Sequence, residues 1–458
     1  MLFSSNVFLF AFLPAVLLTY YLCPRPLRNP VLLLFSLFFY GWGEPVYLFL
    51  MIGDILLNYL CGRWIERSIE KGKRGTTALV TGVVLNLLLL GYFKYAGFFF
   101  GSWIRQVPLP IGISFYIFQS MSYLIDVYRR EAPVQRNVLT FGTYVALFPQ
   151  LIAGPIVRYT DVARMLQSRR ENLPQFASGV RLFIVGLSKK VLLANPMGNL
   201  WNLLQVREGT LTAWMGLLAY TMQIYFDFSG YSDMAIGLGR MFGFHFQENF
   251  NLTYISVSVR EFWRRWHISL SSWFRDYLYI PLGGNRKGTL RTYLNLLIVF
   301  FATGLWHGAG WNFVLWGLYH GFFLIIERAF LGKLLERCPR IIGHVYTLAE
   351  VFFGWILFRA ASIGDAVSFV KNMFLFHGGV AETVLFDGKL ALFLAAGILL
   401  AGPVPYFKKK MSASKSDTGK KGEWNISLPS ILGYMLILWY SVMLLINNTY
   451  NPFIYFRF

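Results

Sequence analysis

The sequence predicts an all-α protein that threads a membrane many times. Three observations carry this prediction: a shortage of charge, recurring apolar runs, and basic residues gathered in the short stretches between those runs. Of 458 residues, 56% are hydrophobic and 14% charged, and the mean hydropathy is +0.50. A soluble domain carries about 25% charged residues, so this chain cannot cover a water-facing surface of its size. Apolar runs such as residues 78–90, 391–400 and 431–446 take the place of that surface. A crossing needs about 20 mostly apolar residues; about 11 transmembrane spans are expected, with re-entrant and amphipathic helices besides.

The net charge of +20 lies between the runs. Arg63, Arg67, Lys71, Lys73 and Arg74 form one basic stretch, and Arg129, Arg130 and Arg136 a second. Arg158, Arg164, Arg169 and Arg170 form a third, and Lys408, Lys409, Lys410, Lys415, Lys420 and Lys421 a fourth. This is the pattern of cytoplasmic loops, with membrane lipid as the partner and no nucleic acid. Cys23, Cys61 and Cys338 have neither metal-ligand nor redox spacing. The first apolar run lacks a basic leader and a clear cleavage site, so it is expected to be retained as a span.

The basic stretches orient the thread. Residues 1–6 are uncharged and Arg25 and Arg28 follow the first span, which puts the N-terminus outside. Residues 29–42 and 45–61 then form a hairpin, residues 77–95 cross outward, and residues 108–128 cross back. Residues 139–157 are anomalous, because Arg136 and Arg158 flank them on both sides and Pro149, Gly154 and Pro155 lie within. Two readings stay open: a re-entrant or broken element beside a cavity, or an ordinary proline-kinked helix. Residues 406–421 are expected to be cytoplasmic, so that the last span carries the tail, residues 447–458, to the outside. The expected organisation is one membrane domain over residues 1–446, with an extracytoplasmic aromatic tail.

Chemistry in such a chain is sought among ionisable groups far from water. Of six histidines, His307 lies between two apolar runs in Thr303-Gly-Leu-Trp-His-Gly-Ala-Gly-Trp-Asn312. The helical path from Arg291 to His307 rises about 24 Å, which places the imidazole within a hydrocarbon core about 30 Å thick. Gly304, Gly308 and Gly310 weaken the helix there and permit close approach of backbone or ligand. An ionisable group at that depth is expensive and is a functional candidate; the plainer role is a neutral imidazole joining two helices.

His267 sits in a segment where Phe262, Trp263, Trp266, Leu270, Trp273, Phe274 and Tyr277 recur at spacings of three or four. Arg260, Arg264, Arg265 and Arg275 fill the remainder, which predicts an amphipathic interfacial helix facing lipid, its cations near headgroups or an anionic substrate. Asp126, Asp227 and Asp233 are acids within apolar stretches, suited to orienting a histidine or pairing with a cation. No paired-histidine spacing occurs, so no metal is expected. There is no G-x-S-x-G turn either, so direct transfer to a hydroxyl assisted by histidine is more economical than a serine acyl-enzyme.

Trp306-His-Gly308, preceded by Arg264-Arg-Trp-His-Ile-Ser-Leu-Ser-Ser-Trp-Phe-Arg-Asp-Tyr-Leu-Tyr-Ile-Pro-Leu-Gly-Gly284, resembles the membrane-bound O-acyltransferases. The resemblance is closest to the bacterial branch containing alginate O-acetyltransferase and the D-alanyl transferase of teichoic acid. The stretch from Phe148 to Arg158, the stretch from Tyr225 to Asp233, and Gln247-Glu-Asn-Phe-Asn-Leu252 fit the same branch, so the matching motifs run from about residue 110 to 330. The resemblance implies a ring of helices around a funnel, with a thioester acyl donor such as acetyl-CoA arriving from the cytoplasm. It assigns the family's near-invariant histidine to His307 and its second motif histidine to His267. Trp306, Asn312, Arg264, Arg275, Asp227 and Gln150 are the expected substrate-binding residues. It also implies residence in the cytoplasmic membrane, an extracytoplasmic partner resembling SGNH hydrolases, and a polysaccharide acceptor.

The chain ends Asn451-Pro-Phe-Ile-Tyr-Phe-Arg-Phe458. One expectation is an aromatic anchor at the outer interface. The other follows from similarity to the aromatic end of the companion peptide in teichoic acid D-alanylation: Tyr455 accepts the acyl group near His307 and passes it on. D-alanyl transfer from a carrier protein, and transport of a lipid-linked glycan, are the competing functions. The absence of a visible inverted repeat weighs against transport.

Overall fold

Peptide groups in an apolar medium need internal partners, and among the described residues every regular element is a helix. The computed structural model describes residues 1–101, 108–152, 154–205, 209–375, 388–407, 427–447 and 453–454. Six of these helices are long and apolar enough to cross a membrane: Tyr47–Glu70, Thr76–Phe100, Thr289–His307, Trp311–Arg337, Arg340–Arg359 and Leu428–Asn447. Phe8–Leu22 and Leu392–Phe407 are shorter apolar helices. Leu428–Asn447 covers little of its own surface, and Met435, Leu436, Trp439 and Ile446 project outward as lipid-facing side chains do.

The helices gather into two compact units. The first comprises Met1–Leu187, Tyr231–Gln247 and Met443–Asn451; the second comprises Ser188–Gly230, Glu248–Val442 and Pro452–Phe458.

Within the first unit the helix Ile113–Arg129 is almost wholly buried and packs on Tyr47–Glu70 and Thr76–Leu90. A buried polar chain ties the three together. Ser120 donates to Asp54 Oδ2 at 2.7 Å, Asn58 Nδ2 donates to Asp54 Oδ1 at 2.8 Å, and Asn86 Nδ2 donates to Asn58 Oδ1 at 2.7 Å. Such bonds hold helices together where no hydrophobic force distinguishes a neighbour from lipid. The anomalous segment is a broken element and not a kinked helix. Val138–Ala146 stops, Leu147 leaves the helical region, and Phe148–Leu151 restarts with Pro149 in its first turn. Pro149 lacks the N–H that a continuous helix would need, and its ring would strike the carbonyl of Val145. The interruption is completed by protein: Phe148 N–H donates to Ser36 Oγ at 3.1 Å, and Gln150 Nε2 donates to the Tyr144 carbonyl at 2.6 Å.

In the second unit Thr289–His307 and the start of Trp311–Arg337 form a tight hairpin. Gly317 lets the two backbones meet, since a Cβ there would collide with the Phe300 carbonyl oxygen and crowd Gly304. The expected amphipathic helix is interrupted: Val259–Arg265 and Ile268–Phe274 are separated by an extended Trp266 and a left-handed His267 (φ 45°). Its apolar side chains also turn away from lipid. Phe262, Trp263, Trp266, Leu270, Trp273 and Phe274 are buried in the unit, with Trp266 against Trp355 at 4.9 Å and Phe250 at 5.0 Å. Periodicity identified the apolar face correctly, but a spacing of three or four does not say whether lipid or protein covers it.

Gly317→Val is expected to destabilise the hairpin by roughly 3 kcal/mol, the upper end of overpacking penalties. Gly53→Ala, at a position with open space around its Cβ, should be neutral. Thermal unfolding of the two detergent-solubilised variants checks this, and equal melting temperatures would refute the close-approach account.

Candidate active site

His307 is the last residue of its helix. The chain then runs extended through Gly308 and Gly310 before Trp311 opens the next helix, so the imidazole sits at the corner of the hairpin and not in mid-helix. It is nonetheless buried, because three aromatic rings close around it edge to face. Trp306 lies at 5.0 Å, Trp316 at 4.9 Å and Phe358 at 5.2 Å between centroids. The turn is tight for steric reasons: any side chain at Gly308 would strike the Phe313 ring. Asn312 Nδ2 donates to the Ala360 carbonyl at 3.0 Å, pinning the start of the second helix to the segment that follows Arg359.

His267 is fully buried and reaches the same aromatic cluster from the break between its two short helices. Its ring lies 5.9 Å from Trp306 and 4.7 Å from Phe228, both edge to face. Trp306 thus touches both imidazoles. His267 Nδ1 is 3.2 Å from Asn249 Oδ1. His267 lies outside the long spans, and burial pushes its imidazole down to about 3, so it is neutral at ordinary pH.

Asp227 lies one residue before Phe228. It holds an ion pair with Lys190 at 2.8 Å, and its other oxygen accepts the backbone N–H of Ile454 at 2.7 Å. Phe453 packs on Phe228 at 6.2 Å. Both described tail residues, Phe453 and Ile454, are buried within the second unit. An outer-surface anchor does not describe these two residues, because an apolar pair with a satisfied amide gains more inside the protein. Tyr455 lies outside the described residues, as does His377.

Arg264 and Arg275 are exposed, and with Arg260 they line a cavity of about 210 Å³ walled by Trp263, Phe274 and Phe300. Its lining extends to Thr303, one helical turn before His307. Gln150 belongs to the first unit, where its amide serves the broken element. Among the described residues no cluster of three His, Cys, Asp or Glu side chains is placed to hold a metal.

Residues 77–363 match the membrane-bound O-acyltransferase family, MBOAT, which is well over half of the chain. The chain belongs to that family. It is therefore a multi-pass membrane O-acyltransferase. It is similar to the probable alginate O-acetylase AlgI of Azotobacter vinelandii, 41% identical over the whole of both chains. It is 36% identical to the peptidoglycan O-acetyltransferase of Helicobacter pylori, over 82% of this chain and 80% of that one. The teichoic acid D-alanyltransferase of Bacillus subtilis is more distant, 26% identical over 54% of this chain and 68% of its own.

In this acyltransferase the structure brings His307, Trp306 and His267 together, with Asp227 next in chain to the Phe228 that packs on His267. Sequence reasoning missed Lys190 and Asn249. Lys190 had a signal, a cation inside an apolar stretch, but its partner is 37 positions away and invisible to spacing. Asn249 had only its place in a quoted motif.

Asp227→Ala removes both the counter-ion of Lys190 and the acceptor of the Ile454 amide, so it is expected to cost about 3 kcal/mol and to release the tail. Faster trimming by carboxypeptidase would report the release, and unchanged trimming would refute the anchor. The His267 shift sets a pH dependence. Its folded-state value lies below the unfolded value of about 6.5, so the unfolded chain takes up the extra proton as pH falls. Stability is then lost from about pH 6.5 downward, by about 2 kcal/mol at pH 5. His267→Gln should flatten that decline in thermal melts run from pH 7.5 to 5.

Proposed function

We propose that this acyltransferase takes an acetyl group from a cytoplasmic thioester, acetyl-CoA by preference, and delivers it for O-acetylation of an alginate-like polysaccharide outside the cytoplasmic membrane. The observation that carries the reading is the tail: Phe453 and Ile454 are buried, one packed on Phe228 beside His267 and the other tied to Asp227. Tyr455 is the next residue in the sequence.

In this reading the Tyr455 hydroxyl is the first acyl acceptor. Its oxygen attacks the thioester carbonyl as His307 takes the hydroxyl proton. The C–S bond breaks, the ester C–O bond forms, and the proton goes on to the departing thiolate. Splitting the transfer in this way turns one passage across the membrane into two easier displacements. The acetyl-tyrosine then hands its group to an extracytoplasmic partner of the SGNH-hydrolase type, which places it on the glycan. Both termini lie outside, which suits that handover. Arg264 and Arg275 would meet the phosphates of the donor, while Trp306 and Asn312 shape the corner where the carbonyl sits. The full-length similarity to an alginate O-acetylase supports acetyl over D-alanyl as the group moved.

His307→Ala is expected to lower thioester consumption by the purified protein at least 100-fold, within the usual range for loss of a general base. Tyr455→Phe should abolish covalent labelling of the protein by radiolabelled acetyl-CoA and glycan acetylation in cells. Full acetylation by Tyr455→Phe would sink the relay. Labelling from a D-alanyl carrier protein, and not from acetyl-CoA, would overturn the choice of donor.

A further inference from the structure

A neutral imidazole is a base at only one of its nitrogens, and its neighbours decide which. Asn249 makes that decision for His267. The Asn249 oxygen accepts the Ser269 backbone N–H at 3.1 Å, and that donor cannot reverse its role. The atom there must therefore be the amide oxygen and not the amide nitrogen. The same oxygen accepts the Ser269 hydroxyl at 2.9 Å. The Ser269 hydroxyl lies 3.5 Å from His267 Nδ1 but 2.9 Å from that oxygen, so it donates to the oxygen; Nδ1, facing the same acceptor at 3.2 Å, then carries the imidazole proton. Nε2 is left with the lone pair, buried and without a hydrogen-bond partner among the described residues.

The main chain of Asn249 fixes the placement of the ring as well. Its carbonyl accepts the Ile268 N–H at 3.0 Å, one residue beyond the left-handed His267. A non-glycine residue disfavours that conformation and holds it only when surrounding contacts over-determine it. Asn251 N–H and the Thr253 hydroxyl clamp the other side of the break through the Arg265 carbonyl, at 3.0 and 3.1 Å. Asn249 is itself buried, so these contacts do not exchange with water.

We propose that Asn249 is a positioning residue for acyl transfer, holding His267 in the Nδ1–H tautomer so that Nε2 accepts a hydrogen bond from the thiol that leaves the donor. This rests on the reading of His267 as part of the transfer site. The role differs from structural support, because it acts through the basicity of one ring nitrogen.

The test measures acetyl transfer by full-length protein in detergent between pH 5.5 and 9, for Asn249→Ala, Asn249→Asp and His267→Gln. Asn249→Ala is expected to lower kcat 10- to 100-fold with the donor KM within twofold. Asn249→Asp keeps an acceptor for Ser269 and sets a carboxylate on the Nδ1–H, which favours the imidazolium. The carboxylate still holds the Nδ1–H, so kcat at pH 7.5 is expected to recover to within about threefold of wild type. Wild-type kcat in Asn249→Ala, or no recovery of kcat in Asn249→Asp, with His267→Gln inactive, would overturn the positioning role and leave the reading of His267 intact. Full activity in His267→Gln would overturn that reading itself. Failure of both Asn249 variants to give monodisperse protein would assign the residue to folding alone and overturn the proposal too.

Discussion

A helix interrupted in an apolar medium exposes peptide groups that only protein can satisfy, and that constraint governs how this chain builds its interior. At two interruptions among the described residues a polar side chain from elsewhere in the unit meets the freed main chain. Ser36 serves the break at Leu147, and Asn249 with the Arg265 carbonyl serves the break at His267. Asn312, just past the corner after His307, donates its side-chain amide to the Ala360 carbonyl. Once these partners are fixed, the side chains at the breaks are fixed with them. The two histidines occupy such places, where backbone geometry is least like the surrounding helices.

The aromatic packing follows from the same demand. An imidazole needs surroundings that exclude water without supplying competing hydrogen bonds, and rings presented edge to face do this. Trp306 packs on both imidazoles. Behind it, Trp316, Trp355 and Phe358 form a continuous wall. The His320–Glu350 pair at 2.7 Å lies against the same wall and links two spanning helices. It shows that a buried histidine in this chain need not belong to the site.

Much of this was legible in the residues, and the remainder was hidden for identifiable reasons. Composition sufficed for the membrane class, and the isolated His307 between glycines stood out because nothing else polar surrounded it. Pro149 between two basic flanks marked the broken element, although spacing could not choose between break and kink. The break at His267 left no such mark. Left-handed backbone there comes from the clamp of Asn249 and Arg265, not from a glycine. Arg264 and Trp266 carry one amphipathic pattern whether lipid or protein covers the apolar face, so that distinction needed tertiary contacts. Lys190 and Asp227 could each be flagged, but their pairing belongs to the fold.

The tie between Asp227 and Ile454 engages a main-chain amide, a group that every residue except proline supplies in the same form. It therefore recognises an address along the chain and is indifferent to the side chain found there. Substitution at residue 454 leaves the address unchanged, whereas a single residue gained or lost just after it changes which side chain follows at each step. A latch of this kind works as an index mark: it converts position in the sequence into position in space, and holds the tail to a count of residues.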